Sequence, residues 1–361
     1  MSTTENTEGT TALSADTIPF IDGHNDTLLK LYRAGRENEN RFLTGSDNHI
    51  DLPRALNARM SGFFAIFSPS PSQGTANLPD RGSYALPRPD PLPLEDARAM
   101  TLAMMATLFR LEKGSSPQFQ VVRDTTHLRR CVTGGAVGAI LHIEGADAID
   151  TDLDTLDVFY QTGLRSLGIV WSRPNAFGHG VPFKFPSSPD TGPGLTDAGV
   201  ALVRACNELG ILVDLSHLNE QGFWDVAKTS NAPLVATHSN VHAICPSARN
   251  LTDKQLDAIA ETGGMVGLNF ALSFLREDGN KDPNTPLDVM VRHLDHLVDK
   301  LGVDHVGFGS DFDGTDVPQE IGDVTGVSKL LAALRDHGYD DVTLRKIAYE
   351  NWLGVLDKTW K

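Results

Sequence analysis

Short apolar runs of four to eight residues alternate along the chain with longer stretches whose apolar positions recur every three or four residues. Eight runs are strand candidates: around Pro19–Gly23, Gly62–Phe67, Ala136–Ile143, Leu164–Trp171, Leu212–Ser216, Leu234–Thr237, Met265–Phe270 and His305–Gly309. They are rich in Val, Ile, Phe and Gly. Their apolar character is nearly continuous, which suits parallel strands covered on their outer face better than half-exposed ones. Helical periodicity fills the gaps. Leu94–Lys113 has an acidic first turn and ends before Gly114; Thr196–Leu209 opens on Thr-Asp and stops at Gly210. Both carry ordinary start and stop signals. Asn219–Lys228 and Thr252–Thr262 follow the same start logic, and Pro286–Lys300, Val327–His337 and Thr343–Asp357 supply the later helices. Asp154–Gln161 has a fainter pattern.

Strand and helix in alternation imply parallel pairing through right-handed crossovers. Eight units favour closure into an α/β (β/α)8 TIM barrel. An open doubly wound sheet would be expected to carry a glycine-rich phosphate turn after the first strand, and none stands there. Residues 1–16 read as a frayed polar tail and 17–361 as a single barrel domain. Long connections at 68–93 and 172–193 interrupt the pattern. Both follow strands, so both are expected on the C-terminal face, where barrel enzymes place their active sites. Loops of this length usually bind or cover something. The second holds Phe177, Phe183 and Phe185, which argues against a mere surface insertion.

Composition narrows the function. A net charge of −16 with no basic cluster argues against nucleic-acid binding. No apolar stretch is long enough to span a membrane, the N-terminus has no signal-peptide pattern, and VLDKTWK at the C-terminus is no anchoring tail. Cys131, Cys206 and Cys245 are far apart and form no CxxC pair. Neither a disulfide framework nor a thiolate zinc site follows, and a cytoplasmic location fits.

Five apolar runs end on a potential metal ligand or acid: IDGHND (His24, Asp26), ILHIEG (Glu144), LVDLSH (His217), LVATHS (His238) and VGFGSDFDG (Asp311). Residues i and i+2 of a strand point the same way, so His24 and Asp26 are expected to share a face. Glu144 has two oxygens and can bridge two cations. His217 and His238 end neighbouring strands, and neutral imidazoles suit a divalent transition metal. Any one of these histidines alone is as readily a satisfied core residue. All of them at strand C-termini describe a site for two ions sharing a carboxylate. Two metals about 3.5–4 Å apart can deprotonate a bridging water. Asp311 would then shuttle a proton to a leaving amine, while Asp313 reads as a turn aspartate. Arg249, in CPSARN, could pair with a substrate carboxylate, or could equally be a solvated surface arginine.

The succession IDGHND, IEG, DLSH, THSN…ARN and GFGSDFDG resembles the membrane (renal) dipeptidase family of the amidohydrolase superfamily, from about Ile18 to Leu356. The chain looks like a soluble, bacterial-type member. The resemblance implies a (β/α)8 barrel and two zinc ions (Zn2+). It implies His24 and Asp26 on the first zinc, Glu144 bridging, and His217 and His238 on the second. It implies Asp311 as the proton-transfer acid and Arg249 as the grip on the substrate's C-terminal carboxylate. One departure stands out. Mammalian members carry a substrate-contacting histidine after strand four, and LRSLGIVWSRPN puts Trp171 there. An indole has one N–H and no metal-binding lone pair. His179, in the following GHG, is the candidate to reach the same space. The function expected is a binuclear zinc dipeptidase, with another divalent metal as an option and tolerance of a C-terminal D-residue. The rival is an amidohydrolase acting on another small carboxylated amide, such as an N-acyl amino acid. The expected partner is a small dipeptide, with no nucleic acid and no membrane; a homodimer is left open.

Overall fold

The computed structural model describes residues 17–70 and 79–361. The expected tail at 1–16 lies outside the described residues, as does part of the first long connection. Eight parallel strands form the barrel: β1 (Phe20–Asn25), β2 (Met60–Phe67), β3 (Val137–Glu144), β4 (Leu164–Gly168), β5 (Leu212–Asp214), β6 (Val235–Ala236), β7 (Met265–Leu268) and β8 (Val306–Phe308). Each pairs with the next and β8 pairs with β1, so the sheet closes. All eight runs legible in the sequence are present, with strand ends that differ from the reading by at most three residues. A short extra strand, Phe119–Val121, pairs with the first residues of β3.

The helices differ more from expectation. Thr27–Ala34, Leu52–Asn57 and Thr125–Gly134 were not evident from periodicity. Thr125–Gly134 buries only Leu128, Cys131 and Val132, too few apolar positions to stand out, and is started by the Asp124 side chain accepting the His127 N–H. The expected helix Thr343–Asp357 is broken. Asp341–Arg345 runs into a π-helical turn, Lys346–Glu350, and then into Asn351–Thr359.

That interruption precedes Trp352, the plug of the barrel floor. The indole is fully buried against Ile21, Phe63, Ile140, Leu212, Val235 and Met265. Its N–H donates to the Phe308 carbonyl at 3.1 Å. Glycines make the room. A Cβ on Gly23 would lie 2.4 Å from the indole, and one on Gly307 2.7 Å. A side chain at either position would evict the plug.

At the other end the two long connections meet. Tyr84–Ala85 pairs antiparallel with Lys184–Phe185. Phe185 packs with Tyr84 and Cys245 in a small apolar cluster. Behind this ribbon Arg173 is fully buried. It donates to Asp147 at 3.1 Å and to the Ser68 carbonyl at 2.7 Å, tying together the connections that follow β2, β3 and β4. All three cysteines are buried and free. No helix among the described residues is long and apolar enough to cross a membrane.

Candidate metal centre

Glu144 is the last residue of β3, and His24 lies near the end of β1. Asp26, His217, His238 and Asp311 follow the ends of β1, β5, β6 and β8 by one to three residues. The barrel brings all of them together at its mouth. Glu144 Oε1 lies 3.0 Å from His217 Nε2 and 3.4 Å from His238 Nε2, and the two nitrogens are 3.2 Å apart. His24 Nε2 lies 3.7 Å from Asp26 Oδ2 and 3.8 Å from Glu144 Oε1. The His24 and His238 rings stack at 3.8 Å.

The approach of His24 to Asp26 is not simple strand alternation. The β1–β2 register shifts between Asp22 and Asn25, and Asp26 lies one residue past the strand at φ −100°, ψ 25°. An irregular strand end re-aims the pair. His217 and Asp311 sit at φ 68° and 61°, a region non-glycine residues seldom occupy. Such backbone persists only where surrounding structure holds it. Here the Asp22 carboxylate does part of that work: it accepts the Ser310 N–H at 2.6 Å and the Ser310 hydroxyl at 2.9 Å, locking the turn that carries Asp311.

The donor atoms fit a divalent cation. In a tetrahedral site with bonds near 2.05 Å, ligand atoms are about 3.3 Å apart. The His217, His238 and Glu144 triangle has edges of 3.0, 3.2 and 3.4 Å. Three of the carboxylate and imidazole groups, His24, Glu144 and His238, also converge as one ligand set, and His24, Asp26 and Asp311 as another. Neither nitrogen of His24 has a hydrogen-bond partner among the described residues, nor does Asp26 Oδ1. Buried polar atoms are rarely left so.

Electrostatics point the same way. Burial holds His217 and His238 well below the ordinary imidazole range, so both are neutral and able to donate a lone pair. Burial pushes Glu144 up to about 8 and Asp311 up to about 6, the response of carboxylates short of positive charge. Burial would lower His24 as well, but Glu144 and Asp26 outweigh it and raise it to about 10. The carboxylates thus draw a proton onto His24 where a cation would otherwise serve.

Neighbouring groups set the tautomers. The Thr237 hydroxyl donates to Asp214 Oδ2 at 2.6 Å, so its lone pair faces His238 Nδ1 at 2.9 Å. His238 therefore keeps its proton on Nδ1 and presents a bare Nε2. Ser172 Oγ lies 2.8 Å from His217 Nδ1, where it can accept the corresponding N–H. Asn269 donates to Asp311 Oδ2 at 2.9 Å, and its own amide is oriented by accepting the Ala271 N–H at 2.6 Å. A Cβ on Gly314 would fall 2.0 Å from Asp26 Oδ2 and 2.5 Å from Asp311 Oδ1, so only glycine lets those carboxylates approach.

Arg249 is not on the surface. It is 4% exposed, donates to the His238 carbonyl at 3.0 Å, and has no carboxylate within ion-pair distance among the described residues. Trp171 stands beside the cluster, its ring 5.9 Å from His217, 4.7 Å from Phe67 and 5.3 Å from Phe183. His179 is turned into its own loop, with Nδ1 3.1 Å from the Gly194 carbonyl, and none of its hydrogen bonds reaches the cluster. Asp313 accepts the His49 N–H at 2.7 Å and the Thr27 hydroxyl at 2.9 Å, the behaviour of a turn aspartate.

Residues 11–361 match the model of the membrane dipeptidase family, peptidase family M19. The chain belongs to that family. This dipeptidase is similar to a metallo peptidase from Rhodobacter sphaeroides solved with a phosphinate mimic of the dipeptide L-Ala-D-Ala. The two are 53% identical, with a TM-score of 0.92 over 96% of this chain and 100% of that one. An uncharacterized Klebsiella pneumoniae protein in the pqqA 5′ region is 47% identical over 257 residues, 71% of this chain and 95% of the relative. The probable dipeptidase PvdM from Pseudomonas aeruginosa shares the fold at TM-score 0.78 and 22% identity, over 95% of each chain. Family, fold and ligand cluster together make this enzyme a metallo-dipeptidase.

Sequence reasoning missed Asp22, Ser172, Asp214, Thr237, Asn269 and Gly314. Five of them sit within one to three residues of a named candidate: Asp22 in IDGHND, Ser172 beside Trp171, Asp214 in LVDLSH, Thr237 in VATHS and Gly314 in SDFDG. Polar residues packed so tightly around a strand end were the available signal.

Proposed function

We propose that this dipeptidase holds two divalent cations, zinc by the donor set, and hydrolyses dipeptides that carry a free C-terminal carboxylate. His24 and Asp26 would hold one cation, His217 and His238 the other, with Glu144 shared. When bound, such a pair polarises a carbonyl and makes water acidic enough to attack near neutral pH. The observation that carries the reading is the spacing of Glu144 Oε1, His217 Nε2 and His238 Nε2 at 3.0–3.4 Å in a buried pocket.

The chain's own residues supply the rest. Asn269 occupies one oxygen of Asp311, which leaves the other, on the Asp26 side, to take a proton from the attacking water and pass it to the leaving amine. Arg249, buried without an ion-pair partner, is a charge awaiting an anion, and the substrate carboxylate meets that need. That demand for a terminal carboxylate limits the length of substrate. Trp171 walls the pocket next to His217 and offers one N–H where the family's mammalian members have a histidine. The ligand of the Rhodobacter relative supports a C-terminal D-residue among the substrates.

Metal analysis of the purified enzyme, followed by L-Ala-D-Ala, Gly-D-Ala and N-acetyl-D-alanine assayed on the same preparation, tests this. Two cations per chain and hydrolysis of the dipeptides are expected. Preference for N-acetyl-D-alanine would move the enzyme to the N-acyl amino acid class.

A further inference from the structure

Between the cation cluster and the Trp352 floor lies a second polar layer that the proposed chemistry does not use. His142 precedes Glu144 by two residues on β3 and so faces the same lumen. Asp214 ends β5. His24, His142 and Asp214 are all buried to within 1%. One ring nitrogen of each histidine and one oxygen of Asp214 lie within 4.8 Å of one another. His142 Nε2 is 3.8 Å from Asp214 Oδ2, too far for a hydrogen bond.

The other atoms of His142 and Asp214 are occupied, and the other nitrogen of His24, Nε2, is the one that faces Asp26 and Glu144. His142 Nδ1 meets Ser166 Oγ at 2.9 Å. Asp214 Oδ1 accepts the N–H groups of Ser216 and Thr237 at 3.0 and 2.8 Å. His142 Nε2 and His24 Nδ1 have no partner among the described residues. With no separation above 4.8 Å, some point lies within about 2.8 Å of all three atoms, a hydrogen-bond length.

We propose that His24 Nδ1, His142 Nε2 and Asp214 Oδ2 hold one buried water molecule, which accepts the His24 N–H, donates to Asp214 and completes its bonding on His142. The inference rests on the reading of His24 as a cation ligand. A neutral imidazole that gives its Nε2 lone pair to a cation carries its proton on Nδ1, and that N–H requires an acceptor. A further cation beneath His24 is disfavoured, because this N–H would point at it. Three hydrogen bonds are the usual complement of an internal water.

The water gives Asp214 a double task. Through Thr237 it orients His238, and through the water it orients His24. One carboxylate then supports a histidine at each cation position, whereas His142 serves only the His24 branch. Loss of such supporting partners typically weakens metal binding by about 10–100-fold.

Two measurements test the proposal. A high-resolution crystal structure of the zinc-loaded enzyme should show a solvent peak within hydrogen-bond distance of all three atoms, with no anomalous signal. No peak, or an anomalous one, overturns it. Chelator competition on His142→Leu should show one zinc held about 10–100-fold more weakly and the other unchanged, while Asp214→Asn weakens both. Equal weakening of both zincs in His142→Leu, or no change, also overturns it. If the unaltered enzyme retains no zinc at all, the ligand reading fails instead, and a solvent peak in the metal-free crystal decides the water.

Discussion

The floor and the mouth of this barrel are made by the same strands and solve opposite problems. At the floor, glycines on β1 and β8 open a space that one indole fills, and the single polar atom it brings is satisfied. At the mouth, most of the carboxylates and imidazoles are buried too, yet several of their atoms have no partner among the described residues. The floor is organised for stability. The mouth carries uncompensated charge that a bound cation would relieve, a trade of stability for activity that is common at functional sites. The difference teaches where to look: a site shows itself as polar atoms brought together at depth without being paired.

The largest expected effect falls at the mouth. Glu144→Gln should remove both cations and abolish hydrolysis, while the metal-free protein melts no lower than the unaltered metal-free enzyme, as metal analysis and calorimetry would report. Loss of one ion only would contradict a shared ligand. At the floor, Trp352→Ala should cost about 3–5 kcal/mol of stability and leave the folded protein with its full metal content. If metal is lost at temperatures where the variant is still folded, floor and mouth are not separable.

His293 sharpens the contrast, since it is a buried histidine with both nitrogens paired. It accepts the Val241 N–H at 3.2 Å and meets the Leu275 carbonyl at 2.7 Å. Burial pulls it down to about 4. Between its unfolded value of about 6.5 and that figure, the unfolded chain binds a proton the folded one refuses. Its contribution is therefore full above the unfolded value and is lost as pH falls towards 4, an effect of about 3 kcal/mol. Denaturant titrations across that window should show the fall, and His293→Gln should flatten it. The smallest effect is expected from Arg249→Met, which should raise KM for dipeptides by about 2 kcal/mol, roughly 30-fold, and spare metal content. Unchanged kinetics would take Arg249 out of the pocket.

Much of this was legible beforehand. All eight strands announced themselves, because a parallel strand buried on both faces is apolar almost without interruption. The ligand residues followed, because they sit where those runs stop. Four things were not legible. The π-helical turn and the Trp352 plug depend on a residue distant in sequence finding the glycines of β1 and β8. The shifted register of β1 brought His24 to Asp26 by a route that alternation does not describe. Arg249 could be read from the sequence as a surface residue, because burial of a lone charge is decided by what surrounds it in space. Asn269 was invisible for a related reason: an amide becomes a support only when a carboxylate is delivered to it by another strand.

The pairing of Tyr84–Ala85 with Lys184–Phe185 has a practical corollary for altering what this enzyme accepts. Segments that leave the barrel after different strands are stitched into one piece of backbone, so neither can be exchanged alone. A graft taken from a relative has to bring both halves, or the incoming half arrives without its mate.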